Sequence, residues 1–308
     1  MRPEVTDWTF DGTWPYEPRW LTTADGRLHF VDEGDPQAPP IVLLHGNPTW
    51  AYLYRNFIPA LVAGGYRVIV PDFLGFGRSD KPSDRSLYTA PRHVQRLTLL
   101  LDSLDLRDVT VLGQDWGGPL GYAWAGSHPD RVARLVVLNT FCHPAVAPVE
   151  MMTALRVFRT PVLGELAVKG ANAFVRGWLL RGGVLHRDRL TSSVRRAYLT
   201  PHPSWSSRTG ILEFPRQLPD GPQAPINPWL SDVHDRLVAL ADRPVLIVWA
   251  MQDPAFTPSM LTDLWLTDFP DAQVLRLPDA GHYLQEDAYE LIVPRLLEFL
   301  QSNSTTLR

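Results

Sequence analysis

Cysteine occurs once in this 308-residue chain, at Cys142, so no disulfide can close within it and no cysteine-based metal site can form. Lysine is nearly absent too: only Lys81 and Lys169 among 29 basic residues, and the arginines are scattered rather than gathered into a stripe. Against 33 acidic residues this leaves a formal net charge of −4 and no basic footprint for a nucleic-acid backbone. No apolar run approaches the ~18 residues of a membrane span, and the opening Met-Arg-Pro-Glu-Val-Thr-Asp has no apolar signal core. No metal motif is visible, and no Gly-x-Gly-x-x-Gly loop opens a helix. The expectation is a cytoplasmic protein without cofactor or metal, with neither nucleic acid nor membrane as partner. Its oligomeric state cannot be read from these features.

Short apolar runs recur at residues 41–45, 67–71, 109–113, 134–138, 244–250 and 273–277, and they read as strands buried on both faces. Helical spacing lies between several of them, as in Leu53, Phe57, Ile58 and Leu61, and again in Val94, Leu97, Leu101 and Leu104. Such alternation predicts a mainly parallel sheet with helices on both sides. Trp20 to Glu33, turning at Asp25-Gly26, reads as an antiparallel hairpin on the sheet edge. Residues 143–236 break the alternation and read as an inserted helical cap, with residues 1–142 and 237–308 forming the core. Within the cap, residues 167–180 and 190–198 look helical and 200–228 loop-rich. Pro294 should kink or restart the last helix, and only the tail from Ser302 to Arg308 looks unstructured.

Chemistry gathers where strands end. In Gly113-Gln114-Asp115-Trp116-Gly117-Gly118 a buried strand runs into a helix, and the glycines let the backbone turn sharply around Asp115. The turn presents a carboxylate as a nucleophile, although a capping aspartate in a glycine-rich turn would give the same pattern. His45-Gly46-Asn47-Pro48, directly after another strand, can aim a backbone N–H and a side-chain amide into an oxyanion hole, with His45 serving the loop's geometry. The turn from Asp72 to Ser79 reads as structural. Asp253 lies just past a late strand and His282 past the next, and catalysts in open α/β sheets collect at the carboxyl ends of strands. The order nucleophile, acid, histidine is that of a hydrolytic triad.

On these motifs the chain resembles the haloalkane dehalogenases of the α/β-hydrolase superfamily, along nearly its whole length. The resemblance implies an eight-stranded α/β-hydrolase fold, Asp115 as the nucleophile that displaces halide, and Asn47 with Trp116 as the pair that holds it. The family's acid follows either the sixth or the seventh strand. Asn139-Thr140-Phe141 offers no carboxylate after the sixth, so the role falls to Asp253, an arrangement similar to the family's third subfamily.

The residue types suit the reaction. A carboxylate is ionised at neutral pH and needs no base to attack carbon, while His282 has the range of a general base that activates water. Trp116 and Asn47 are donors without charge, able to stabilise a departing anion and still release it. The expected partners are a small uncharged halogenated substrate, water and the halide product. An epoxide hydrolase shares the triad but typically adds two cap tyrosines, and residues 143–236 hold only Tyr198. A fluoroacetate-type enzyme typically carries Arg where Trp116 stands. A binding protein that keeps the fold without turnover is the rival outside catalysis. Phe158, Phe174 and Trp178 either line the pocket or pack the cap; Trp124, Trp249 and Trp265 read as packing. Seven histidines, at 29, 93, 128, 143, 186, 202 and 234, read as surface or loop residues.

Overall fold

The computed structural model describes residues 7–303. Eight strands form one sheet in the order β1-β2-β4-β3-β5-β6-β7-β8. The hairpin β1 (Arg19–Thr23) and β2 (Gly26–Glu33) supplies the antiparallel edge, and β2 pairs antiparallel with β4 (Arg67–Pro71). The pairings among β3 (Pro40–Leu44), β4, β5 (Val109–Asp115), β6 (Val132–Thr140), β7 (Val245–Ala250) and β8 (Gln273–Leu277) are parallel. Every residue of β3, β5, β6 and β7 is buried, as expected for apolar strands covered on both faces. The cover begins with α1 (Ile58–Ala63), α2 (Ala90–Ser103) and α3 (Gly117–Ser127), the last running directly out of β5.

Between β6 and β7 the described elements are all helical. They are α4 (Thr153–Arg159), α5 (Pro161–Gly164), two wider-wound π segments (Glu165–Gly170 and Phe174–Gly183), α6 (Ser192–Leu199), α7 (Thr209–Gln217) and α8 (Asn227–Val238), with a 3₁₀ turn on either side of α6. Helix α7 falls where a loop-rich stretch was expected. Its apolar residues Ile211, Leu212 and Phe214 are buried, and that packing outweighs its Gly210 and Pro215. Helix α8 packs on α3 of the core, and the expected cap boundary at residue 236 falls inside it. After β7 come the short α9 (Pro258–Met260) and α10 (Leu266–Asp268), then α11 (Leu284–Asp287) and α12 (Tyr289–Ser302). Pro294 does not restart α12: it forfeits one bond, to the Glu290 carbonyl, while Ile292, Val293, Leu296, Phe299 and Leu300 hold the helix to the core. The expected unstructured tail lies mainly outside the described residues, and Ser302 itself ends α12.

Three of the histidines expected at the surface are buried. His29 pairs with buried Asp72 (Nδ1 to Oδ2, 2.8 Å), His93 stacks on Phe214, and His202 bonds the Ser207 carbonyl through Nδ1. Burial pushes the pKa of His93 well down and that of His202 to about 3, so both are neutral packing residues. The Asp72 turn is structural as expected. Asp72 accepts from the N–H groups of Ala51 and Arg78, and a Cβ on Gly77 would fall 2.1 Å from its Oδ2. Trp124, Trp249 and Trp265 are fully buried.

A buried ion pair joins α6 and α11 to the segment that follows β3. Arg55 grips Glu286 of α11 with both terminal nitrogens, at 2.5 and 2.6 Å, and Glu286 also accepts from the Tyr198 hydroxyl of α6. Glu286→Ala would strand the Arg55 charge in the interior, so a loss of about 3–5 kcal/mol is expected in urea unfolding. A loss below 1 kcal/mol would mean that water reaches Arg55.

Candidate active site

All five sequence-selected residues meet at the carboxyl edge of the sheet. Asp115 ends β5 with a φ of +50°, a left-handed conformation that side chains other than glycine rarely adopt. The strain is held by close packing: a Cβ on Gly117 would fall 2.2 Å from the Leu44 carbonyl oxygen, and one on Gly118 1.9 Å from Thr140 Oγ1. Thr140 in turn donates its hydroxyl to the Asp115 carbonyl at 2.6 Å. The result is a sharp elbow with the carboxylate on its outside.

The Asn47 backbone N–H donates to Asp115 Oδ1 at 2.7 Å, and the Trp116 N–H, at the start of α3, also bonds this carboxylate. Gly46 is required for this approach, since a Cβ there would fall 2.2 Å from Oδ1. His45 fixes the loop, its two ring nitrogens bonding the Gly46 carbonyl and the Phe73 N–H.

On the other side His282 places Nε2 3.7 Å from Asp115 Oδ2, while its Nδ1 lies 3.0 Å from Asp253 Oδ2. Asp253 is itself held by the Ala255 N–H and by Asn139 Nδ2 at 3.0 Å. Asn139 was noted in the sequence only for lacking a carboxylate. In the fold it is buried at the end of β6, also bonds the Ala250 backbone and holds the Asp253 carboxylate in place. Gln114 donates to the His282 carbonyl at 3.1 Å. Neither contact has a local sequence signature, because the partners meet only across the sheet.

Burial pushes the Asp115 carboxyl above its ordinary value, against the pull of His282 and the two N–H groups. For His282 burial acts downward, but Asp253 and then Asp115 outweigh it and lift the imidazole above its usual range.

These residues open into a cavity of about 580 Å³, in the range that holds small organic ligands. Its walls are mostly apolar, with Phe141, Phe174, Trp178 and Phe256 among them. Phe158, the third aromatic considered for the pocket, packs behind Phe174. Among the described residues no lysine or arginine lines it. Trp116 borders the cavity, its ring packed against Phe214 and Phe141. The Asn47 side-chain amide donates one hydrogen to the Ile211 carbonyl of α7 at 3.1 Å. That carbonyl is free because its helical partner four residues on is Pro215, which has no N–H.

A family model described as the alpha/beta hydrolase fold matches residues 39–289. Haloalkane dehalogenase 2 of Mycobacterium tuberculosis is 37% identical over 286 residues, covering 92% of this chain and 95% of that protein. A cis-3-alkyl-4-alkyloxetan-2-one decarboxylase of Shewanella oneidensis is 36% identical over 295 residues, covering 94% and 90%. Among solved structures, a haloalkane dehalogenase from Bradyrhizobium elkani superposes with a TM-score of 0.82 at 28% identity, over 94% of this chain and 99% of that one. A fold, a family match and relatives that coincide over nearly the whole length place the chain in the α/β-hydrolase family, as a hydrolase similar to the haloalkane dehalogenases.

Proposed function

We propose that this protein hydrolyses the carbon–halogen bond of uncharged haloalkanes through an alkyl ester on Asp115. The observation that carries this reading is the Asp115 carboxylate itself: Oδ1 is held by the Asn47 N–H, the Trp116 N–H also bonds the carboxylate, Oδ2 faces His282, and an apolar cavity lies beyond. Oδ2 attacks the carbon in line, a C–O bond forms, and the C–X electron pair leaves with the halide. The Trp116 indole N–H and the second amide hydrogen of Asn47 receive that ion. Water is then deprotonated by His282 Nε2, with Asp253 stabilising the imidazolium, and attacks the ester carbonyl. The negative oxygen that develops accepts from the Asn47 and Trp116 N–H groups. Collapse expels the alkoxide, which takes the proton from His282, so the products are alcohol, halide and a proton. Residues 143–236 act as the cap that keeps bulk water from this sequence.

The test is halide release from a panel of brominated and chlorinated alkanes, with epoxides as the contrast. Tyr198 donates its hydroxyl to Glu286, so the single cap tyrosine is not free to protonate an epoxide. The absence of a lining cation likewise favours uncharged substrates over haloacids. Trp116→Phe or Asn47→Ala should lower turnover by roughly 10²–10³-fold, the scale of losing one anion-stabilising donor. Bromide should quench part of the tryptophan fluorescence of the parent and much less in Trp116→Phe. Parent-like turnover in either variant removes that residue from halide binding.

A pH effect follows from the charge that disappears on alkylation. In the free enzyme Asp115 helps to lift His282; as an ester it is neutral, so the His282 pKa falls. Ester hydrolysis should therefore continue at pH values where His282 of the free enzyme is already protonated. NMR titration of His282 set beside the acid limb of single-turnover hydrolysis checks this, and coincident values would show that the Asp115 charge does not act on the base.

The decarboxylase relative, as similar as the dehalogenases, favours a second reading. Carbon 4 of an oxetan-2-one is also a saturated carbon with an anionic leaving group. Attack by Asp115 would free the ring carboxylate; loss of CO2 would then form the alkene and expel Asp115, with no water consumed. Carbon dioxide from a cis-3,4-dialkyl-oxetan-2-one, without halide from any haloalkane, would replace the dehalogenase reading with this one.

A further inference from the structure

Three side chains far apart in the sequence converge where the helical insertion leaves and rejoins the core. His143 lies just past β6 on the way out, His234 is on α8 on the way back, and Asp268 ends α10 between β7 and β8. Nε2 of His143 is 2.7 Å, and Nε2 of His234 3.0 Å, from the same Asp268 oxygen, Oδ2. One potential ligand atom from each residue lies within 4.8 Å of the others. The side chains are 12%, 23% and 16% exposed, so the cluster is walled by protein and open to water on one side.

We propose that His143, His234 and Asp268 form a binding site for a divalent transition metal of the zinc class. Two imidazole nitrogens and one carboxylate oxygen, with a wet fourth position, are a donor set that zinc accepts as a tetrahedral site closed by water. Calcium and magnesium need more oxygen ligands than are present. Zinc bonds of ~2.0–2.1 Å put tetrahedral ligands roughly 3.3 Å apart, so Asp268 Oδ2 must withdraw by about half an ångström and the two imidazole nitrogens, within 4.8 Å of each other, must close toward that spacing by small side-chain rotations. Behind His234, Asp235 Oδ1 stands 3.7 Å from Nδ1, where its charge favours Nε2 as the metal-binding nitrogen. Behind His143 the buried Cys142 Sγ lies 4.0 Å from Nδ1, on the opposite side of the ring from the Nε2 that faces Asp268, and so stands outside the ligand set. No local spacing betrays the site, and a sequence without a metal motif is compatible with it.

A metal here would join both roots of the insertion to the segment between β7 and β8, the segment that also carries Asp253. It would act as a cross-link, and the hydrolytic steps need nothing from it. Trp265 packs edge-on against His143 with ring centroids 5.3 Å apart, which places an optical reporter beside the site.

The test uses the full chain stripped with chelator and then titrated with ZnCl2, by calorimetry and thermal melting, alongside His234→Gln and the isosteric Asp268→Asn. The parent should bind one equivalent with a Kd of micromolar or below and gain roughly 5 °C in Tm at a hundredfold excess over Kd, whereas MgCl2 should do neither. Both variants should lose the tight equivalent and the Tm gain, and CoCl2 should develop tetrahedral visible absorption in the parent alone. A parent with no zinc binding tighter than ~100 μM, or variants that bind zinc as the parent does, would overturn the proposal. Where a variant melts too low to compare, the cobalt spectrum of the parent decides: an octahedral, water-like spectrum rejects the site.

Discussion

His282→Gln should release about one halide per active site from 1-bromobutane and then stop. Asp115 is ionised without help, so losing the imidazole leaves the first displacement intact. The ester that forms has lost the imidazole that faced it, His282 Nε2 at 3.7 Å from Oδ2. Oδ1 is bonded to the backbone, and Asp253 is linked to the site through His282 Nδ1. Steady turnover should fall by 10⁴-fold or more, on the scale of losing a triad member. Mass spectrometry of the peptide containing Asp115 should show the added butyl group. An unmodified peptide from a folded variant that still binds substrate would count against the ester. In the decarboxylase reading water is not consumed, and the same variant would keep turning over its lactone, so this one substitution separates the two chemistries.

Asp253→Asn should behave similarly for a different reason. An amide can present its NH2 to His282 Nδ1, which turns the imidazole to the tautomer with its proton on Nε2, the atom that must accept one from water. It also removes the negative charge that stabilises the imidazolium. An alkylation burst with steady turnover lowered by up to ~10⁴-fold is expected, the scale on which neutralising a triad acid acts. Pre-steady-state halide release measures both quantities at once. Near-normal steady turnover would mean that another carboxylate supports the histidine. Asn139, already 3.0 Å from Asp253, marks the position to examine next, because Asn139→Asp would create a carboxylate there.

The parts of this protein legible in sequence are those whose cause is local. Strands buried on both faces appear as unbroken apolar runs, and the elbow appears as glycines around Asp115, because backbone geometry constrains neighbouring residues. Asp253 and His282 were legible through their positions after strands, which the sheet topology converts into proximity. What stayed hidden depends on distant partners. The burial of His29, His93 and His202 is set by Asp72, Phe214 and Ser207, and Asn139 reads as an empty acid position until β7 lies beside it. Helix α7 was obscured by its own glycine and proline, which argue for a loop unless the buried face is known.

That proline also gives the cap a voice in anion retention. The carbonyl it leaves over in α7 is the acceptor that holds the Asn47 amide, so the aim of the remaining amide hydrogen follows the seating of this helix. In the proposed reaction the strength with which bromide is held becomes a gauge of how α7 is seated: any shift of α7 carries the Ile211 carbonyl, and with it the aim of the amide, so substitutions on the outer face of α7 can alter the off-rate of an ion they never touch.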